Sequence, residues 1–231
     1  VPDANWTPLL LSLKVAGIST FVVFLAGVLI ARLLSRKNFF GKSFLESLLL
    51  LPLVLPPTVV GFGLLITFGK NGIIGKWLLQ WFDVQVVFSL TGAVIASIVV
   101  SFPLMYQSAV AAFSGIDSRL ENAARTMGAS EWRVFWTVSF PLAWTGLLSG
   151  LVLSFARALG EFGATLMLAG YIPGKTDTLP VAIYFAVEAG QMDKASFWVV
   201  IIVALGLSTT MWLNWWSKRN INRYANQKEA G

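Results

Sequence analysis

Apolar runs longer than eighteen residues recur along the whole 231-residue chain. Each is long enough to cross roughly 30 Å of hydrocarbon as a helix. Inside lipid a backbone must satisfy its own hydrogen bonds, and for runs of this length the helix is the solution. Apolar residues make up 56% of the sequence and charged residues 12%, too little charge to cover a soluble surface. The expectation is an all-α polytopic membrane protein, one transmembrane domain over residues 1–231.

Five spans are expected, at about 8–34, 44–68, 87–113, 142–169 and 196–216. A ten-residue apolar stretch at 73–82, carrying Lys76, Trp77, Gln80 and Trp81, is too short to cross and reads as a helix lying at the interface. The first run follows Val1–Trp6, which holds no Lys or Arg, and reads as a span rather than a cleavable signal.

Lys and Arg in the connections set the orientation. Arg32, Arg36, Lys37 and Lys42 follow span one, Arg119, Arg125 and Arg133 lie between spans three and four, and Lys218, Arg219, Arg223 and Lys228 end the chain. The other side carries only Lys70, Lys76, Lys175 and Lys194. Eleven against four puts the N-terminus outside and the C-terminus in the cytoplasm. Trp198, Trp212, Trp215 and Trp216 bracket the last span as an aromatic belt would. Lys14, near the outer end of span one, is placed to snorkel. The net charge of +6 therefore fits topology, and no nucleic-acid partner is expected. With neither cysteine nor histidine, disulfides, thiol chemistry and the commonest metal ligands are absent, and no metal site is expected.

The connection at 114–140 is the most informative stretch. It reads as a helix with small residues Ala123 and Ala124, a break at Gly128, and a second short helix capped by Ser130. That second helix is expected to present Trp132, Phe135 and Trp136, with the next span starting at Pro141. A bulky aromatic cluster on a cytoplasmic loop suits a pocket on another protein. An ordinary basic loop is the plainer alternative.

This stretch resembles the EAA loop of ATP-binding-cassette (ABC) importer permeases, patterned Glu-Ala-Ala, three residues, Gly, nine residues, Ile, one residue, Leu-Pro. Ala123, Ala124, Gly128, Val138 and Pro141 fall on that spacing, while Asn122 stands for the glutamate and Phe140 for the leucine. Glu121 lies one residue early. With Leu51–Gly61, Ser154–Ala164 and Ile172–Pro180, the chain is similar over nearly its whole length to the molybdate permeases, and slightly less to the sulfate permeases. The resemblance implies a type I importer permease fold in a bacterial or archaeal cytoplasmic membrane. It also implies an assembly of two copies of the chain, an ATPase dimer holding ATP and Mg, and an external binding protein delivering an oxyanion: molybdate first, tungstate, sulfate or thiosulfate as alternatives. No catalytic residue and no cofactor are then expected on this chain. The loop would be the coupling helix, with Ala123, Ala124, Gly128, Ala129, Trp132, Arg133, Phe135 and Pro141 at or near the ATPase.

Within the membrane, Pro52, Pro56 and Pro57 must bend or break span two. Irregular backbone at depth is tolerated where it is buried in protein or lines a water-filled cavity, so Pro56, Pro57, Thr58 and Gly61 are candidates for the translocation path, against a packing kink. Arg157 and Glu161 are one turn apart and can pair on one face of span four. A neutralised structural pair, or a bond from Glu161 to a neighbouring subunit, is preferred to Arg157 contacting a dianion. Hydroxyls such as Thr58, Ser101 and Ser154 suit weak transient contact better, and Ser154 and Glu161 join the candidates for the path.

Residues 169–176 (Ala-Gly-Tyr-Ile-Pro-Gly-Lys-Thr) nearly match a phosphate-binding loop, but a span precedes them and Asp177–Pro180 follows, where the motif needs a strand and a helix. The match is read as chance. An ATPase-independent carrier is the rival from another class; internal repeats, which such carriers usually show, are not visible. A membrane enzyme would need clustered catalytic groups that this sequence does not offer.

Overall fold

A computed structural model describes residues 6–35 and 39–229, with the side chains of all of these except 35, 214 and 217–229. Arg36 and Lys37, and the side chains of Lys218, Arg219, Arg223 and Lys228, therefore lie outside the described residues. The described residues carry helices and no strands. Helix α1 is Thr7–Ser35, α2 Lys42–Val54, α3 Pro57–Phe68, α4 Ile73–Phe82 and α5 Leu90–Ser114. The loop helices are α6 (Ser118–Thr126) and α7 (Glu131–Val134), followed by a π-helical turn at Phe135–Ser139 and α8 (Phe140–Leu159). After them come α9 (Gly163–Ala169), α10 (Leu179–Glu188) and α11 (Met192–Glu229). By length and composition four helices can cross a membrane among the described residues, and five if α2 and α3 count as one span.

The centre is a bundle of α1, α5 and α8, packed through Val23, Val28, Met105, Tyr106, Ala109, Ala143 and Leu147. Small residues let these helices approach: a Cβ on Gly27 would lie 2.8 Å from Met105 Cγ, and one on Gly150 2.6 Å from Ser108 Cβ. Lipid tails are as apolar as leucine, so close packing of this kind rather than water exclusion holds membrane helices together. A second cluster joins α3, α5 and α9 through Val60, Ala96, Val100, Ala164 and Leu168.

The expected second span is broken, as its prolines require. The chain bends by 115° between α2 and α3, around Leu55 and Pro56. Pro57 then starts α3, where a missing N–H costs least. The expected fourth span is corrected in two ways. It does not run unbroken to residue 169, since α8 ends at Leu159 and α9 starts at Gly163. Nor does it begin afresh at Pro141, because residues 131–159 form one run of helix widened by the π turn. The proline ring clashes with the carbonyl four residues back, at Thr137, and the wider turn relieves it. The Phe140 N–H accordingly donates to the Phe135 carbonyl, five residues back.

Between α9 and α11 the expected outer connection contains a helix that hydropathy did not isolate. Helix α10 buries Leu179, Val181, Ala182 and Ala186, and its first N–H, from Leu179, donates to Ser12 Oγ of α1 at 2.7 Å. Trp198 is also corrected. It is 2% exposed and packs edge-on against Trp6 and Phe197 rather than facing lipid, whereas Trp212 and Trp215 are exposed. The amphipathic α4 spans the expected residues, with Trp77 and Trp81 exposed.

Candidate coupling loop and the paired helix breaks

Helix α6 is capped at its start by Asp117, whose carboxylate accepts from the Arg119 N–H, and stopped just past its end by Gly128 in the left-handed region at φ +83°. The Ala129 N–H donates to Ala124 O and the Gly128 N–H to Arg125 O, the paired bonds of a Schellman stop that glycine adopts without a Cβ penalty. Ser130 then caps α7 by accepting from the Arg133 N–H at 3.4 Å, as the sequence suggested. Bidentate contact with Glu131 and a bond from Arg125 Nη1 to Asn122 Oδ1 at 2.8 Å brace the turn, and the Glu131 bonds push the Arg125 pKa above its ordinary value.

Of the expected docking residues, Ala123, Gly128, Trp132, Arg133 and Pro141 are exposed, Ala129 is half-buried and Ala124 is buried. Trp132 is 71% exposed and Trp136 47%. Phe135 turns inward instead, half-buried between Phe113, Phe140 and the Arg32 guanidinium. Its outer side still packs against Trp136, edge-on at 5.1 Å, and against Trp132 at 6.4 Å between ring centres. Glu121 points inward too. It is 4% exposed, accepts from Arg32 Nη1 at 3.0 Å and from Ser139 Oγ, and has Arg125 Nη2 at 3.9 Å. Asn122, in the glutamate position of the loop pattern, lies on the exposed side.

The two helix breaks lie against each other. A Cβ on Gly163 would sit 3.2 Å from the Thr58 nitrogen, and one on Gly61 2.7 Å from Ala164 Cα. Glycine at 163 thus admits the backbone at Pro57–Thr58, and Gly61 admits α9. Glu161 falls inside the second break, where its Oε1 accepts from the Ala164 N–H at 2.8 Å and replaces a bond the helix has lost. Its Oε2 pairs with Arg157 Nη1 at 2.7 Å. The expected pair is therefore formed, and Glu161 also caps the first turn of α9. Pro56 and Thr58 are exposed and Pro57 is half-buried. Gly61, Ser101 and Ser154 are buried in helix contacts, and Ser101 Oγ donates to Ser97 O. Of the three hydroxyls singled out, only Thr58 reaches a surface.

The phosphate-loop look-alike is closed on itself. Thr176 Oγ1 donates to Gly170 O and accepts from the Ile172 N–H, while the Gly174 N–H donates to Asp177. A buried carboxylate occupies the turn that a phosphate would need. Burial pushes the Asp177 pKa up, partly offset by the N–H groups of Asp177 and Gly174 and by Lys194. Among the described residues no group of three or more acidic side chains could hold a metal.

Residues 24–222 match the family described as the binding-protein-dependent transport system inner membrane component. The chain belongs to this family. Its relatives include ModB, the molybdenum transport system permease protein of Escherichia coli K12, 45% identical over 92% of this chain and 93% of the relative. YvgM of Bacillus subtilis, a permease protein named for molybdenum transport, is 53% identical over 87% of this chain and 88% of its own length. CysW, a sulfate transport system permease protein of Synechocystis, is 37% identical over 88% of this chain and 73% of its own. Among solved structures, the fold matches a bacterial importer of alginate (TM-score 0.75, 16% identity, 95% of this chain and 80% of that one). It also matches the MetNI methionine ABC transporter (TM-score 0.70, 16% identity, 95% and 98%). The family's helical permease fold is therefore this chain's fold.

The site holds features that sequence reading missed: the inward turn of Phe135, the burial of Glu121 against a half-buried Arg32, and the partner of Glu46. Glu46 on α2 accepts from Tyr106 of α5 at 3.3 Å and lies 3.9 Å from Lys42. A lone acid in an apolar run signals such a partner, and the partner is sixty residues away.

Proposed function

We propose that this chain is the permease subunit of an ATP-driven importer that carries molybdate into the cytoplasm. The observation that supports the anion most directly is the higher identity shared with two molybdenum permeases than with a sulfate permease, over a larger share of those relatives' own length. The excess of Lys and Arg on one side supports an outer N-terminus and a cytoplasmic C-terminus and loop. In this reading the chain works as two copies with an ATPase dimer and an external binding protein. ATP and Mg belong to the ATPase, and this subunit performs no catalysis.

The loop at 114–140 docks on the ATPase through the exposed face of Trp132, Arg133 and Trp136, with Ala123, Gly128 and Ala129 shaping the turn. Because α7 runs unbroken into α8, a push on the loop moves α8 as a lever and reaches the Gly160–Gly163 break at its far end. That break abuts Pro57 and Thr58, so the two irregular segments move together and open or close the path. Thr58 offers a hydroxyl for weak transient contact. Arg157 is held by Glu161, so no bare guanidinium traps a dianion there.

Transport in proteoliposomes with the ATPase and binding protein tests this reading. The expected result is ATP-dependent molybdate uptake, competed by tungstate. Sulfate-selective uptake would move the chain to the sulfate permeases, and uptake without the ATPase would make it a carrier.

A further inference from the structure

Arg32 enters the sequence as one more cytoplasmic topology charge. In the fold it is a joint. Its side chain is 13% exposed and its Nη1 meets Glu121 Oε1 at 3.0 Å. The same guanidinium lies 5.7 Å from the centre of the Phe113 ring and 5.5 Å from that of Phe135. One side chain thus touches the inner end of α5, helix α6 and the π turn, all from the last turn of α1. Glu121 completes the junction by accepting from Ser139 Oγ at the end of the π turn.

Chain connectivity explains why this matters. The loop joins α5 and α8 covalently, so their movement with it is automatic. Helix α1 has no such link, yet it packs along both α5 and α8 and must follow if the bundle is to rotate as a body. A buried ion pair adds little net stability over apolar packing, because desolvation cancels most of its attraction. It does fix geometry, since displacing Arg32 takes the 3.0 Å partner from a buried carboxylate and leaves the longer contact to Arg125 at 3.9 Å. The two rings at Arg32 hold the guanidinium against sliding.

We propose that Arg32 is a positioning residue that fastens α1 to the coupling loop through Glu121, so that loop displacement moves the whole bundle rather than α8 alone. This inference rests on the coupling role proposed for the loop. The test uses the complete importer in proteoliposomes, reading ATP hydrolysis, anion uptake and ATPase copurification in one preparation. Arg32→Gln should still copurify with the ATPase and hydrolyse ATP, while anion moved per ATP falls about tenfold, the scale of coupling between distant sites. The double exchange Arg32→Glu with Glu121→Arg should recover a large part of that ratio.

A wild-type ratio in Arg32→Gln overturns the proposal, whether both activities stay full or fall together. If Arg32→Gln does not assemble, Glu121→Gln decides by the same ratio, since it keeps an acceptor for Ser139 and loses only the charge. A wild-type complex without ATP-dependent uptake would instead refute the importer reading itself.

Discussion

Replacing Gly61 by alanine tests whether the two helix breaks are packed against each other. The new Cβ would lie 2.7 Å from Ala164 Cα and 2.8 Å from Met167 Cβ. Met167 Cβ is fixed to its own backbone, and no rotamer change moves it. Ala164 Cα is backbone, ~0.7 Å inside the shortest ordinary contact, so α3 and α9 must separate. Overpacking of this kind costs about 1–3 kcal/mol. Gly63, two residues along the same helix, has nothing within 4 Å of its would-be Cβ. Gly63→Ala therefore carries the same change in helix propensity without the collision, and the difference between the variants isolates the contact. Scaled to a chain of this length, Gly61→Ala should melt roughly 2–12 °C below Gly63→Ala. Intrinsic tryptophan fluorescence in detergent reads this directly, with ten tryptophans in the chain. Equal melting temperatures would refute the packing of α3 on α9.

Gly128→Ala forces a Cβ into the left-handed region with no steric clash elsewhere, a backbone cost of about 1–2 kcal/mol. The Schellman stop should loosen and binding of the ATPase weaken by roughly five- to thirtyfold in a titration in detergent, with Gly128→Asn affected less. Asp177 has its pKa raised from the ordinary 3.8, chiefly by burial, so its protonated form is favoured in the fold. Its stabilising contribution is full below 3.8 and is lost as pH rises through the raised value, so Asp177→Asn should flatten the melting temperature against pH across that window. A variant curve parallel to wild type would contradict this.

Long apolar runs announce α1 and α5 because spanning length and hydropathy depend on the segment alone. The prolines at 52, 56 and 57 announced a break because lost N–H groups are local too. The break at Gly160–Phe162 was less legible. Glu161 reads as the partner of Arg157 in a continuous helix, and only the fold shows it also accepting the Ala164 N–H. Helix α10 left a signal in Thr178-Leu179-Pro180, a cap residue and an early proline, but at ten residues it lay below the length that hydropathy resolves.

The loop at 114–140 divides the same way. Its stop at Gly128 and its cap at Ser130 follow from residue chemistry within a few positions. The burial of Glu121 and the inward turn of Phe135 depend on Arg32, eighty-nine residues from Glu121 in sequence. Charge counting sees Arg32 as a topology marker because it cannot see what the side chain meets. A π turn is likewise invisible until the helix on both sides of Pro141 is known to be continuous.

The side of the membrane on which Trp132 lies, and what covers it there, can be measured in one experiment. The chain has no cysteine, so Trp132→Cys provides a single thiol at a position 71% exposed. An impermeant maleimide should leave this thiol unlabelled in intact cells, label it in inverted vesicles stripped of the ATPase, and lose access when the ATPase is added back. Labelling from outside, or labelling from inside that the ATPase does not diminish, would contradict the docking of this loop on a cytoplasmic engine.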